Sequence, residues 1–157
     1  MTTLRSRHDA EAVLDTSRGK TTLCIGGGIL GLETAGALAR QGVKIAVLEN
    51  LAWLMPRQLN QNAARVFQAH VESLGITIHA NVKVKELAGN GAVERVLLED
   101  GTALAAEAVI FSTGVRANAG LAAQAGLAVK NGILVDDAMR TSHANVFAAG
   151  DTAEHAG

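Results

Sequence analysis

The sequence predicts an α/β fold in which a parallel sheet is crossed over by an antiparallel β-meander. Three observations carry that prediction. Over residues 21–80, apolar runs short enough for buried strands alternate with segments of helical period. Gly26, Gly28 and Gly31 join the first such strand to the first such helix. From residue 82 the period changes to short strands parted by the turn signals Gly89-Asn90-Gly91 and Asp100-Gly101, and a continuous apolar run then returns at 108–111.

Each element follows from local pattern. Residues 4–15 read as a short amphipathic helix through Leu4, Ala10, Val13 and Leu14, with Ser6 or Asp9 as its cap. A polar linker, 17–20, leads into the strand at 23–25, which ends on β-branched Ile25 and is stopped by glycine. The Ala- and Leu-rich segment 30–41 is a helix ended by Gly42, and 43–48 is a second strand that finishes on Glu49. Residues 51–56 read as a loop with an exposed or half-buried Trp53 and Met55. Pro56 then stands at the start of a helix over 58–74, whose Leu59, Ala63, Val66, Phe67, Val71 and Leu74 make one apolar stripe. The strand at 76–80 puts Ile76 and Ile78 on one face and Thr77 and His79 on the other.

The meander strands are predicted at 82–87, 93–98 and 102–104, with Val82, Val84, Val93 and Leu97 on one apolar side interrupted by Arg95. Residues 108–111 have the pattern of a parallel strand buried on both faces. Beyond them come a short helix at 121–125, a strand at 132–136, and an apolar strand within 141–151 that runs into a Gly-Asp turn.

The stretch 21–49 carries the chemistry. Its glycines stand at the positions of GxGxxG, where a tight turn needs Gly26, close approach of a pyrophosphate to backbone needs Gly28, and close packing of helix on strand needs Gly31. A glycine turn without a ligand is also common. Here a strand before it, a helix out of it, a second strand after it and an acidic residue about 20 positions on occur together, which points to a dinucleotide. The pyrophosphate belongs at the helix N-terminus, so Ile29 and Leu30 complete the candidate loop. Glu49 is the candidate partner of the adenosine ribose hydroxyls, and a carboxylate there favours NAD(H) over NADP(H). The alternative for Glu49 is a solvated carboxylate at a strand end. Ser112-Thr113-Gly114 forms a second small-residue turn at the carboxyl edge of the sheet, where open α/β sheets bind ligands.

Composition narrows the function classes. The 157 residues carry a net charge of −1, which offers no electrostatic footprint for nucleic acid or an anionic membrane. No apolar run is long enough to span a bilayer, and a soluble, cytoplasmic protein is expected. The one cysteine, Cys24, lies inside the first strand as a small core residue, so dithiol chemistry is not available to this polypeptide. The five histidines show no metal-ligand spacing.

Five stretches together carry a likeness: GGGILGLE at 26–33, LMPRQL at 54–59, FSTGVRAN at 111–118, GILVDDAMRTS at 132–142 and VFAAGD at 146–151. In this order they resemble the FAD-dependent pyridine nucleotide-disulfide oxidoreductase superfamily, and within it the NADH-dependent reductases without a redox disulfide. The resemblance implies a Rossmann-like sheet with NAD contacts at Gly26, Gly28, Gly31 and Glu49, a glutamate near the nicotinamide at Glu33, a second nucleotide-side turn at Gly114, and a contact of Asp151 with the ribityl chain of FAD. Ala117 departs from the family's usual proline. The larger departure is that a first GxGxxG for FAD is not found in these residues. The chain therefore reads as a stub of the FAD domain and linker (1–19), an NAD-binding domain (20–118) and a return segment toward the FAD domain (119–157). The implied function is hydride transfer from NADH to FAD and on to an acceptor; the alternative is an inactive, truncated nucleotide-binding module. NADH and the missing FAD domain are the expected partners, with a possible homodimer burying apolar surface around Ile133, Val135, Val146 and Phe147.

Overall fold

The computed structural model describes residues 4–155, so the first three and last two residues of the predicted terminal segments lie outside the described residues. The chain divides after Thr113 into two compact units.

The first unit opens with α1 (Arg7–Ser17), where both predicted caps act together. The Ser6 hydroxyl accepts the N–H of Asp9 at 3.2 Å, and the Asp9 carboxylate accepts the N–H groups of Arg5 and Ser6 at 2.9 Å each. There follow β1 (Thr21–Ile25), α2 (Ile29–Arg40), β2 (Lys44–Leu48), α3 (Gln61–Ser73), β3 (Thr77–His79), β4 (Val84–Ala88), β5 (Arg95–Leu98), β6 (Ala103–Ala105) and β7 (Ala108–Phe111). Strands β3, β2, β1 and β7 form, in that order, one parallel sheet, and β4, β5 and β6 form the antiparallel meander that crosses between β3 and β7.

Side-chain alternation along the strands makes three layers. Cys24, Ile45 and Val47 point to one face, where they pack with Leu32, Ala35 and Leu38 of α2 and Val71 of α3; Val13 and Leu14 of α1 pack there too. Leu23, Ile25 and Leu48 point to the other face and meet Val96 and Leu98 of the meander. Burying both faces explains why these strands read as continuous apolar runs.

Several expectations are corrected. α3 begins at Gln61 and not near Gln58, because the Asn60 side chain caps it by accepting the Ala63 N–H at 3.0 Å. Pro56 lies in a separate turn in which Gln58 and Leu59 both donate to the Met55 carbonyl, at 3.0 and 2.9 Å. The stripe of α3 runs through Ala64, Phe67 and Val71, and Val66 is 74% exposed. In the meander the apolar side carries Val96 and Leu98, so Leu97 shares the opposite side with Arg95. Among the described residues β7 pairs with β1 alone and Phe111 is 62% exposed, so β7 is an edge strand there and not buried throughout.

The second unit holds α4 (Gly120–Gln124) and two short parallel strands, β8 (Ile133–Val135) and β9 (Ala153–His155). The Glu154 carboxylate fastens β9 to the turn before β8 by accepting the N–H groups of Asn131 and Gly132 at 2.7 and 2.8 Å. These hydrogen bonds, with Gly132 first, hold its carboxyl below the usual carboxylate range. The strand expected within 141–151 is instead irregular chain ending in a 3-10 turn at Gly150–Thr152, with one bridge between Arg140 and Phe147. Of the four residues expected to present apolar surface, Val135 is buried and Ile133 half-buried, whereas Val146 and Phe147 are exposed.

Candidate functional site

The glycine turn between β1 and α2 is held by the ladder on both sides. Gly26 donates its N–H to the Leu48 carbonyl at 2.8 Å, and Ser112 donates to the Ile25 carbonyl at 2.8 Å, so the ends of β2 and β7 flank the turn. Each glycine then answers a different requirement. Gly26 has φ +115°, and a β-carbon on it would collide with the Ser112 carbonyl. A β-carbon on Gly31 would collide with the Gly26 carbonyl, which sets how closely α2 approaches β1. Gly28 differs from both: it is exposed, its φ of −80° suits any residue, and a β-carbon there would meet open space.

That space lies at the N-terminus of α2. The first bond of the helix runs from the Leu32 N–H to the Gly28 carbonyl at 3.0 Å, so the N–H groups of Ile29, Leu30 and Gly31 precede any intrahelical acceptor. Gly28 supplies no side-chain cap. The result is a cluster of backbone donors at the positive end of the helix dipole, an arrangement that suits an anion. Ile29 and Leu30 expose apolar side chains beside it, and Glu33 is exposed one turn further along α2.

Glu49 follows β2 and is 7% exposed, so it is not a solvated strand-end carboxylate. One carboxylate oxygen accepts the Gly27 N–H at 2.8 Å, and the other accepts the Leu51 N–H at 2.8 Å. The buried charge is thereby met by two backbone donors. Cys24 lies below the turn, with its thiol directed at the Gly31 carbonyl (3.7 Å) and its pKa pushed up to about 11 by burial. It is a core residue.

Gly26, Gly28, Ile29, Leu30, Gly31, Glu33 and Glu49 thus all belong to the first unit, in the turn between β1 and α2, on α2 and just after β2. Gly114 and Asp151 belong to the second, Gly114 with φ +99° at its start and Asp151 exposed in the 3-10 turn. Sequence reasoning missed Gly27, Leu51 and Leu54. A β-carbon on Gly27 would come within 2.7 Å of the fully buried Leu54 side chain, so the middle glycine of the run Gly26-Gly27-Gly28 was the signal available.

Comparisons with known proteins give the family and the fold. The family model described as pyridine nucleotide-disulphide oxidoreductase matches residues 1–156. The chain is 36% identical over 158 residues to a nitrite reductase [NAD(P)H] of Bacillus subtilis, with 100% of this chain and 20% of that protein covered. It is 35% identical over 152 residues to a rubredoxin-NAD(+) reductase of Pseudomonas putida, with 96% of this chain and 40% of that protein covered. A solved ferredoxin reductase from Rhodopseudomonas palustris superposes with a TM-score of 0.89 at 31% identity, over 96% of this chain and 38% of that one. The chain therefore spans only a fifth to two-fifths of the curated relatives just named. With the family model running through both units, the chain belongs to the pyridine nucleotide-disulphide oxidoreductase family.

Proposed function

We propose that this chain is the NAD(H)-binding part of an FAD-dependent reductase in which hydride passes from NADH to FAD and electrons pass on to an acceptor. The observation that carries the reading is the glycine turn, in which Gly28 leaves open space over the free N–H groups of α2 while the other two glycines of the motif, Gly26 and Gly31, are closed by backbone. A pyrophosphate fits that space and that donor set. Residues 20–118 would hold NAD(H), and 1–19 with 119–157 would belong to the FAD side.

In this assignment Gly26, Gly28, Ile29, Leu30 and Gly31 bind the pyrophosphate, and Glu49 meets the adenosine ribose. Glu33 stands near the nicotinamide, Gly114 forms a second nucleotide-side turn, and Asp151 offers an exposed carboxylate to the ribityl chain. FAD, when bound, supplies the hydride acceptor and the route to single-electron transfer. The protein's contribution is to orient the nucleotide and exclude its 2′-phosphorylated form. The curated relatives' names carry different acceptors, nitrite in one and rubredoxin in another, so the shared part of the reading is the nicotinamide side.

Calorimetric titration with NADH and NADPH tests the assignment. NADH should bind at least about tenfold more tightly, since a 2′-phosphate brought against a carboxylate costs on the order of 1 kcal/mol or more. Equal affinity for the two would remove Glu49 from this role.

A further inference from the structure

We propose that Glu49 is also a positioning residue: its carboxylate pins the glycine turn to the loop after β2, so nucleotide affinity and coenzyme choice depend on the same side chain. The proposal rests on the NAD(H) reading above.

The backbone of Glu49 is fixed on both sides, its N–H donating to the His79 carbonyl at 2.9 Å and its carbonyl accepting the Val82 N–H at 3.0 Å. From this anchored position its two oxygens reach two different segments, Gly27 in the glycine turn and Leu51 in the following loop, each at 2.8 Å. The contact surface is continuous. A β-carbon on Gly27 would stand 3.0 Å from a Glu49 carboxylate oxygen, 3.1 Å from its β-carbon and 2.7 Å from Leu54, so the turn rests on the stem of Glu49 and on the buried Leu54.

Two acceptor atoms are required here, and only a carboxylate has them. A glutamine offers one oxygen, and its NH₂ would face a second backbone donor. Either way one N–H, that of buried Gly27 or that of part-buried Leu51, loses its acceptor, and the turn or the loop after β2 relaxes to find one. Gly27 directly precedes Gly28, so that relaxation moves the donor cluster at the start of α2. A residue acting by charge alone would behave differently, since neutralising it would simply admit NADPH.

The test compares the full chain with Glu49→Gln and Glu49→Asp. Amide hydrogen exchange without nucleotide is expected to show Gly27 and Leu51 protected in the parent chain. In Glu49→Gln at least one of the two should exchange tenfold or more faster, while β1 and β2 amides are unchanged. NADH affinity should fall at least tenfold with no gain in NADPH affinity. Glu49→Asp keeps the charge but is one methylene short of spanning both donors, so the same losses are expected; a role in charge alone leaves it like the parent. Unprotected Gly27 and Leu51 amides in the parent chain, unchanged exchange in both variants, or NADPH binding that rises to match NADH in Glu49→Gln would overturn the proposal. If Glu49→Gln does not fold, the parent exchange and Glu49→Asp decide. A parent chain that binds neither nucleotide would remove the NAD(H) reading, and the exchange measurements would still decide whether Glu49 holds the turn.

Discussion

A β-carbon on Gly26 or Gly31 would strike backbone, whereas one on Gly28 would enter open space, so the three glycines separate by experiment. Gly26→Ala and Gly31→Ala should each destabilise the fold by about 3 kcal/mol, the range of overpacking and backbone strain, as read from urea denaturation. Gly28→Val should keep the parent's denaturation midpoint and lose NADH binding; a folded Gly28→Val that still binds would place the nucleotide elsewhere. Cys24 gives a companion prediction. Buried, and with its pKa pushed up to about 11, it should resist thiol reagents at neutral pH until the chain is unfolded. At this scale the glycine positions and Glu49 were legible in the sequence, because a motif encodes spacing. The Gly27–Glu49 bond was not, because it joins two segments distant in sequence that the ends of β1 and β2 bring together, and the local Leu51–Glu49 bond depends on the side-chain placement that goes with it.

Among the elements, α1 shows how a local signal becomes stability. Ser6 and Asp9 cap each other's backbone, so Ser6→Ala should cost about 1 kcal/mol, measurable by thermal unfolding. Asp9 sits below the ordinary carboxylate range, chiefly because the Arg5 N–H, and then the Ser6 N–H, donate to it. Since the folded value is the depressed one, the unfolded chain takes up this proton first as the pH falls. The capping contribution is thus complete above the unfolded carboxylate's pKa and is lost as the pH falls through the folded one. Backbone chemical shifts of residues 7–17 should report that loss in acid, and shifts that do not change there would show that the Asp9 bonds do not hold α1. Helix starts and strand faces were the parts least legible. Asn60 competes with Pro56 as the place where α3 begins, and its side-chain bond to Ala63 decides the matter. In the meander the packing of Val96 and Leu98 sets which alternate residues are buried, and a shift of one residue reverses every face. The run through Val146 and Phe147 is apolar enough for a strand, yet Phe147 is 61% exposed and makes only an isolated bridge to Arg140.

For the whole molecule, the α/β class and the meander crossover followed from changes of period along the chain, which survive errors in any single boundary. The remaining prediction concerns what the 157-residue polypeptide does by itself. These residues contain one GxGxxG turn, and the proposal above gives it to NAD(H). In the same proposal what they offer to a flavin is the exposed carboxylate of Asp151, and one hydrogen bond to a charged group contributes only about 1.5–3 kcal/mol. A micromolar site needs roughly 8 kcal/mol. The purified 157-residue chain should therefore bind NADH, show no flavin absorbance and oxidise no NADH when an electron acceptor is supplied. Adding FAD at micromolar concentration should leave it in the flow-through of a desalting column. Copurification with stoichiometric FAD, or NADH oxidation by the chain, would mean that the described residues hold a flavin site beyond Asp151, and the division of roles proposed for residues 20–118 and 119–157 would have to be redrawn.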